Sequence, residues 1–253
     1  MLKHNYDLSG NFLTSKDYTT ETDSDINLTE HIISYYDGDK WKIIPIDLIS
    51  KYHVIHDTYY ENKMDTKTES KQDITLLMCP FTYITVVLEG IYYPSDYTLN
   101  GCIMLQDASG ELISVLDNSY YNDNTKKINK HMAYIKTFRN AISEHPDCLF
   151  IHTNKKTKSN VTLSIHDNYD INPLTLVRVI DYISSDGLIK KYTVVVGKDK
   201  MVNEITGYDM EKSGFNKYID SVKDKIIEKN GFIYPCLWYA VNSLFPTAKI
   251  LYL

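Results

Sequence analysis

The longest nearly apolar passage in the chain is Asp73-Ile-Thr-Leu-Leu-Met-Cys79-Pro80-Phe-Thr-Tyr-Ile-Thr-Val-Val-Leu-Glu89-Gly90. Short, β-branched runs broken by a Cys-Pro pair predict two buried strands, 73–79 and 83–89, meeting at a turn that carries a thiol. Before this hairpin, Asp-Gly in Tyr35-Tyr-Asp-Gly-Asp39 marks a turn. Trp41-Lys-Ile-Ile-Pro-Ile46 reads as a strand, and 47–56 as a short helix with Asp47 as its cap. After it, Tyr92 to Gly101 reads as a loop. Cys102–Gln106 and Glu111–Leu116 flank a hairpin turn at Asp107-Ala-Ser-Gly110. Ile128, Met132, Ile135, Phe138 and Ile142 recur every three or four residues, which predicts an amphipathic helix over 128–143 that His145-Pro146 ends.

The last hundred residues mix the same two periods. Strands are expected at 148–152, 161–166, 174–183 and 189–196. A helix built on Phe215, Ile219, Val222 and Ile226 closes at Asn230-Gly231. Pro235 opens a final short helix with Leu237, Trp238, Val241 and Leu244 inward, and Ile250-Leu-Tyr-Leu253 ends the sequence as an apolar strand. The expected fold class is α+β, β-dominant, with antiparallel meanders and hairpins and two or three amphipathic helices. Residues 1–35 read as a polar N-terminal arm. Residues 36–253 read as one compact α+β domain, with 36–147 and 148–253 as the alternative division into two lobes.

Composition narrows the function classes. A net charge of −6, with only Arg139 and Arg178 as arginines among 27 basic residues, argues against a surface built for nucleic-acid phosphates. Abundant Lys, Asn, Ile and Tyr with almost no Arg is what an AT-rich coding sequence produces, as in some giant viruses, some protists and some bacteria. The start of the chain lacks the charged and apolar regions of a signal peptide. No run reaches the ~18 apolar residues of a membrane span. Cys79, Cys102, Cys148 and Cys236 are scattered, which suits free thiols in a reducing compartment. The expected location is cytoplasmic or in a virion.

Candidate chemistry centres on Cys79. A cysteine nucleophile needs a thiolate, which an imidazole can generate and a carboxylate can orient. Tyr52-His53-Val-Ile-His56-Asp57 supplies both groups, so Cys79, His53 and Asp57 are the candidate catalytic set. His53 with His56, and His145 with Cys148 and His152, are residue types that bind zinc, but neither group has the tight paired spacing of a zinc site. No metal site is therefore assigned, and no cofactor is identified. Glycine-rich phosphate loops and the serine-hydrolase elbow are absent. Tyrosine pairs at 35–36, 59–60, 92–93 and 120–121 are either half-buried strand residues or a sugar- or partner-binding surface.

Several segments resemble, in order, the domain-of-unknown-function family 3179. They are Ile44-Pro45-Ile46, His53-Val-Ile-His-Asp57-Thr58, Leu76-Leu-Met-Cys79-Pro80-Phe81-Thr82, Glu144-His145-Pro146-Asp147, Leu237-Trp238-Tyr239-Ala240 and Phe245-Pro246-Thr247. The resemblance implies a shared fold and a place for His53 and Cys79 in a common site. It implies no reaction, because the family has no assigned activity. Thr82 replaces the second cysteine of some members, and Tyr83 replaces the small residue that follows their Cys-Pro turn.

Two functions follow. The first is a structural or interaction component of a larger assembly, with an accessory giant-virus virion protein as the setting its composition suggests. Its partners would be other proteins of that assembly. The second is a Cys/His-based or metal-assisted enzyme using Cys79 and His53.

Overall fold

The computed structural model describes residues 1–3, 12–22, 26–28, 30–62, 69–155, 176–183, 190–196, 232–245 and 247–252. Strands dominate, most pairs are antiparallel, and the described helices have seven residues each. Among the described residues, no helix is long and apolar enough to cross a membrane. The chain divides into two compact units. The first holds 1–81 and 85–162; the second holds 82–84 and 163–253.

Among the described residues, the first unit holds three five-stranded sheets. The middle one is β13 (Lys130–His131), β8 (Thr85–Glu89), β7 (Glu69–Met78), β6 (Val54–Asn62) and β2 (Phe12–Leu13), in that order. Both faces are covered over 54–57 of β6 and 74–78 of β7, so Val54, Ile55, Ile74, Leu76, Leu77 and Met78 are all fully buried. A two-sided core explains why this passage reads as a continuous apolar run and not as an alternating strand. The predicted hairpin is thus present, with β7 paired to β8 from Ile74–Glu89 to Met78–Thr85.

One neighbouring sheet is β14 (Ala133–Thr137), β4 (His31–Tyr36), β5 (Trp41–Pro45), β15 (Leu149–His152) and β3 (Thr19–Glu21). The other is β1 (Leu2–Lys3), β9 (Tyr93–Leu99), β10 (Cys102–Gln106), β11 (Leu112–Ser114) and β12 (Ser119–Tyr120). Side chains of β6 touch both. Asp57 bonds Tyr35 of β4, and His56 lies edge-on to the Tyr93 ring of β9. Period-2 alternation sends these two consecutive residues to opposite faces.

Several expectations change. Residues 1–35 are not a separate arm: among the described ones, β1, β2, β3 and β4 contribute to all three sheets. The helix expected over 47–56 is α1 (Ile46–Tyr52), and it stops at His53 because Val54 and Ile55 are taken into the central strand. Pro45, not Asp47, precedes its first residue. Residues 93–99 are a strand, not a loop. Asn100 and Gly101, both at positive φ, form the tight turn that pairs β9 with β10. Of the helix expected over 128–143, only α2 (Phe138–Glu144) is helical, because β14 pairs along its whole length with β4. The boundary also moves, since β15 pairs with β5 and β3 and so belongs to the first unit. The strand expected at 161–166 and the helix on Phe215 to Ile226 lie outside the described residues.

In the second unit the described sheet is β18 (Phe232–Leu237), β16 (Leu176–Ile183), β17 (Lys190–Val196) and β19 (Lys249–Tyr252). Pro235 sits inside β18, on the edge of the sheet, and the helix begins later as α3 (Trp238–Leu244). This sheet repeats part of the first unit. In β14-β4-β5-β15 and in β18-β16-β17-β19, the first three strands are antiparallel neighbours and the fourth joins in parallel. In both, a seven-residue helix connects the first strand to the fourth. Both helices close alike, His145 N–H donating to Ala141 O and Phe245 N–H to Val241 O. The register agrees as well. Tyr36 opposite Trp41 corresponds to Asp181 opposite Tyr192, and Lys42 opposite Leu149 corresponds to Thr193 opposite Lys249. One module is built twice.

Candidate functional site

The thiol and imidazole singled out by the sequence lie in the interior. Cys79 follows β7 directly and is fully buried, and its Sγ accepts the Ile103 backbone N–H at 3.4 Å. His53 is also fully buried. Its backbone carbonyl accepts the Met78 N–H at 2.8 Å, so the two chain segments are neighbours. The rings are another matter, for neither nitrogen of His53 has a hydrogen-bond partner. The structure therefore does not join His53 to the Cys79 sulfur. Burial alone pushes the His53 pKa down to about 4, which keeps the ring neutral at pH 7 and removes any charge-based activation of a nearby thiol. His53 also has φ of 62°, in the left-handed region, where its N–H closes α1 onto Ile49 O.

Asp57 does not orient an imidazole either. It is the centre of a buried polar cluster drawn from four stretches of chain. Lys42 Nζ lies 2.6 Å from Asp57 Oδ2 and 2.9 Å from Asp37 Oδ2. Tyr35 donates to Asp57 Oδ2 at 2.6 Å and Tyr18 to Oδ1 at 2.8 Å. The side chains of Lys42, Asp57 and Asp37 are 8%, 6% and 3% exposed. Asp37 is pinned from behind, its Oδ1 accepting the Asp39 and Lys40 N–H groups of the turn. Burial pulls the Lys42 ammonium down, but the Asp57 and Asp37 carboxylates outweigh it and its pKa ends up raised. Burial, followed by the Asp57 charge, pushes both Tyr18 and Tyr35 well above the usual phenol range. Both phenols are therefore fixed as donors.

The sequence held a signal for this cluster. In Trp41-Lys-Ile-Ile-Pro, strand alternation puts Lys42 on the same face as Ile44, which is fully buried. A lysine at an inward register needs a carboxylate partner. Nothing in the sequence said that the partner would be Asp57.

The remaining candidates separate. His56 Nε2 is 2.7 Å from Tyr92 O on the opposite face of β6. Burial lowers its pKa against smaller opposing effects of Tyr92 and Asp73. Cys148 is buried in the apolar cluster of Ile32, Ile43, Phe138, Ala141 and Phe150, which raises its pKa. His145 stacks on Trp41, with ring centres 3.9 Å apart. His152 closes β15 with Nε2 buried and unpartnered. Among the described residues, no three His, Cys, Asp or Glu side chains are grouped to hold a metal ion.

A second feature lies at the surface of the first unit. Trp41 is the hub of a ring cluster with Tyr36 at 5.8 Å, Tyr134 at 6.0 Å and the stacked His145. Lys136 Nζ sits 5.8 Å from the Trp41 ring centre and 5.3 Å from that of Tyr134, while also bonding Glu144 at 2.6 Å. Tyr36 is 41% exposed. Trp41 covers the edge of the Ile32–Phe150 cluster with one side of its ring system.

Comparison with family models, curated proteins and solved structures finds no match to this chain. The resemblance to the domain-of-unknown-function family 3179 rests on the order of its short segments alone.

Proposed function

We propose that this chain is a structural or interaction component of a larger intracellular assembly, and that it binds a protein partner through the Trp41-centred face. The aromatic cluster carries this reading. Trp and Tyr, together with a cation held over their rings, are the side chains that supply most binding energy at protein interfaces. Here Tyr36, Trp41 and Tyr134 share one patch of a rigid sheet, so little ordering would be needed on contact. The expected setting is an accessory position in a giant-virus particle, for which the Arg-poor, Lys- and Asn-rich composition is the support.

The described N-terminal residues pair within the chain's own sheets, so this reading does not rest on them. The enzyme alternative is weakened. Its thiol is fully buried and its imidazole makes no hydrogen bond to that thiol. A direct test is affinity capture from the native source with wild-type protein and Trp41→Ala. Recovery of a defined partner by the wild type and at least a tenfold weaker capture by the variant are expected. Equal capture by both would refute the Trp41 face.

A further inference from the structure

We propose that Lys42 and Asp57 condense to an intramolecular isopeptide bond, with Asp37 as the proton-transferring acid. A covalent link of this kind needs an amine and a carboxyl held in contact, a dry site, and a second carboxyl to move protons. All three are present. Lys42 Nζ is 2.6 Å from Asp57 Oδ2 and 2.9 Å from Asp37 Oδ2, and the three side chains are at most 8% exposed.

The hydrogen bonds assign the roles. Asp37 Oδ1 is held by two turn N–H groups, which leaves Oδ2 aimed at the amine. Asp37 takes a proton from the ammonium and passes it to Asp57 Oδ2, and the freed Nζ lone pair attacks Cγ of the now neutral carboxyl. The Tyr18 hydroxyl donates to Oδ1, where negative charge develops in the tetrahedral intermediate. The Nζ–Cγ bond forms and the Cγ–Oδ2 bond breaks. Oδ2 leaves as water, carrying two of the three ammonium protons, one of them delivered by Asp37. Asp57 Oδ1 stays as the amide carbonyl, still bonded by Tyr18. No oxidant or cofactor is consumed, and the driving force includes the removal of a buried ion pair that is costly to desolvate.

The second module keeps the same strand pairing without the amine. At the positions corresponding to Lys42 and Tyr35 it has Thr193 and the buried Ile180. The proposal is independent of the assembly reading and survives its failure.

Intact-mass measurement of the denatured full chain is the test. The wild type is expected to be lighter than its sequence by one water, with a branched peptide joining the Lys42 and Asp57 segments. Lys42→Arg is expected at full mass and with slower mobility on a denaturing gel. Asp37→Asn, checked for folding by circular dichroism, is expected to show less than a tenth of the branched peptide. Wild-type protein at full mass overturns the proposal. So does a water loss confined to the Asp57 peptide, which would be a cyclic imide. Full cross-linking in Asp37→Asn would overturn the role given to Asp37.

Discussion

His53 pairs a buried, unpartnered imidazole with a left-handed backbone. Its pKa is about 4 in the folded chain against 6.5 as the ordinary value, so protonation favours the unfolded state. Stability is then complete above pH 6.5 and falls as pH drops from 6.5 to 4, by about 3 kcal/mol in all. Urea titrations across that window should show the loss, and His53→Leu should make it shallower, with the lowered His56 contributing the remainder. An unchanged slope in the variant would remove His53 as the cause. Gly38 is a second constrained residue. It has φ of 95°, and a Cβ there would lie 1.9 Å from Tyr60 O. Gly38→Ala is expected to cost about 3 kcal/mol or more, since strain and a backbone clash add. Asp57→Ala leaves Lys42 beside Asp37 alone in a dry site, and should destabilise by about 3–5 kcal/mol in thermal or denaturant unfolding.

Among the elements, β7 is flanked by β6 and β8 and covered on both faces over 74–78, whereas β1 is a two-residue strand at a sheet edge. Amide hydrogen exchange should therefore be slowest at Leu76–Met78 and fast at Leu2–Lys3. Equal exchange at both sites would contradict the layering. The β7–β8 hairpin was legible because its apolar runs are short and β-branched. Residues 128–143 misled for a physical reason. Ile128, Met132, Ile135, Phe138 and Ile142 are apolar at helical spacing, yet Ala133 and Ile135 also alternate as a strand, and pairing with β4 decides between the two. Residues 93–99 were hidden by Pro94, Asn100 and Gly101, which read as loop residues, yet Pro94 sits inside β9 opposite Leu105 of β10.

Across the whole molecule, fold class was readable and organisation was not. The repeated module escaped notice because its copies share topology but little sequence. Over Phe138–Pro146 and Trp238–Pro246, only Ser143 and Ser243, and the two prolines, are identical. Of the candidate site, burial was legible and partnership was not. Cys79, His53 and Asp57 are all buried, but the His53 ring makes no hydrogen bond and Asp57 answers to Lys42, which lies on another sheet. What the surface offers is Trp41 and its aromatic neighbours. The decisive measurement is quantitative mass spectrometry of particles or complexes purified from the native source. The account predicts the chain at a fixed stoichiometry with defined partners, and cross-links from Lys40 or Lys136, beside Trp41, to one of them. A chain found only as free monomer, with neither lysine linked to another protein, would contradict it.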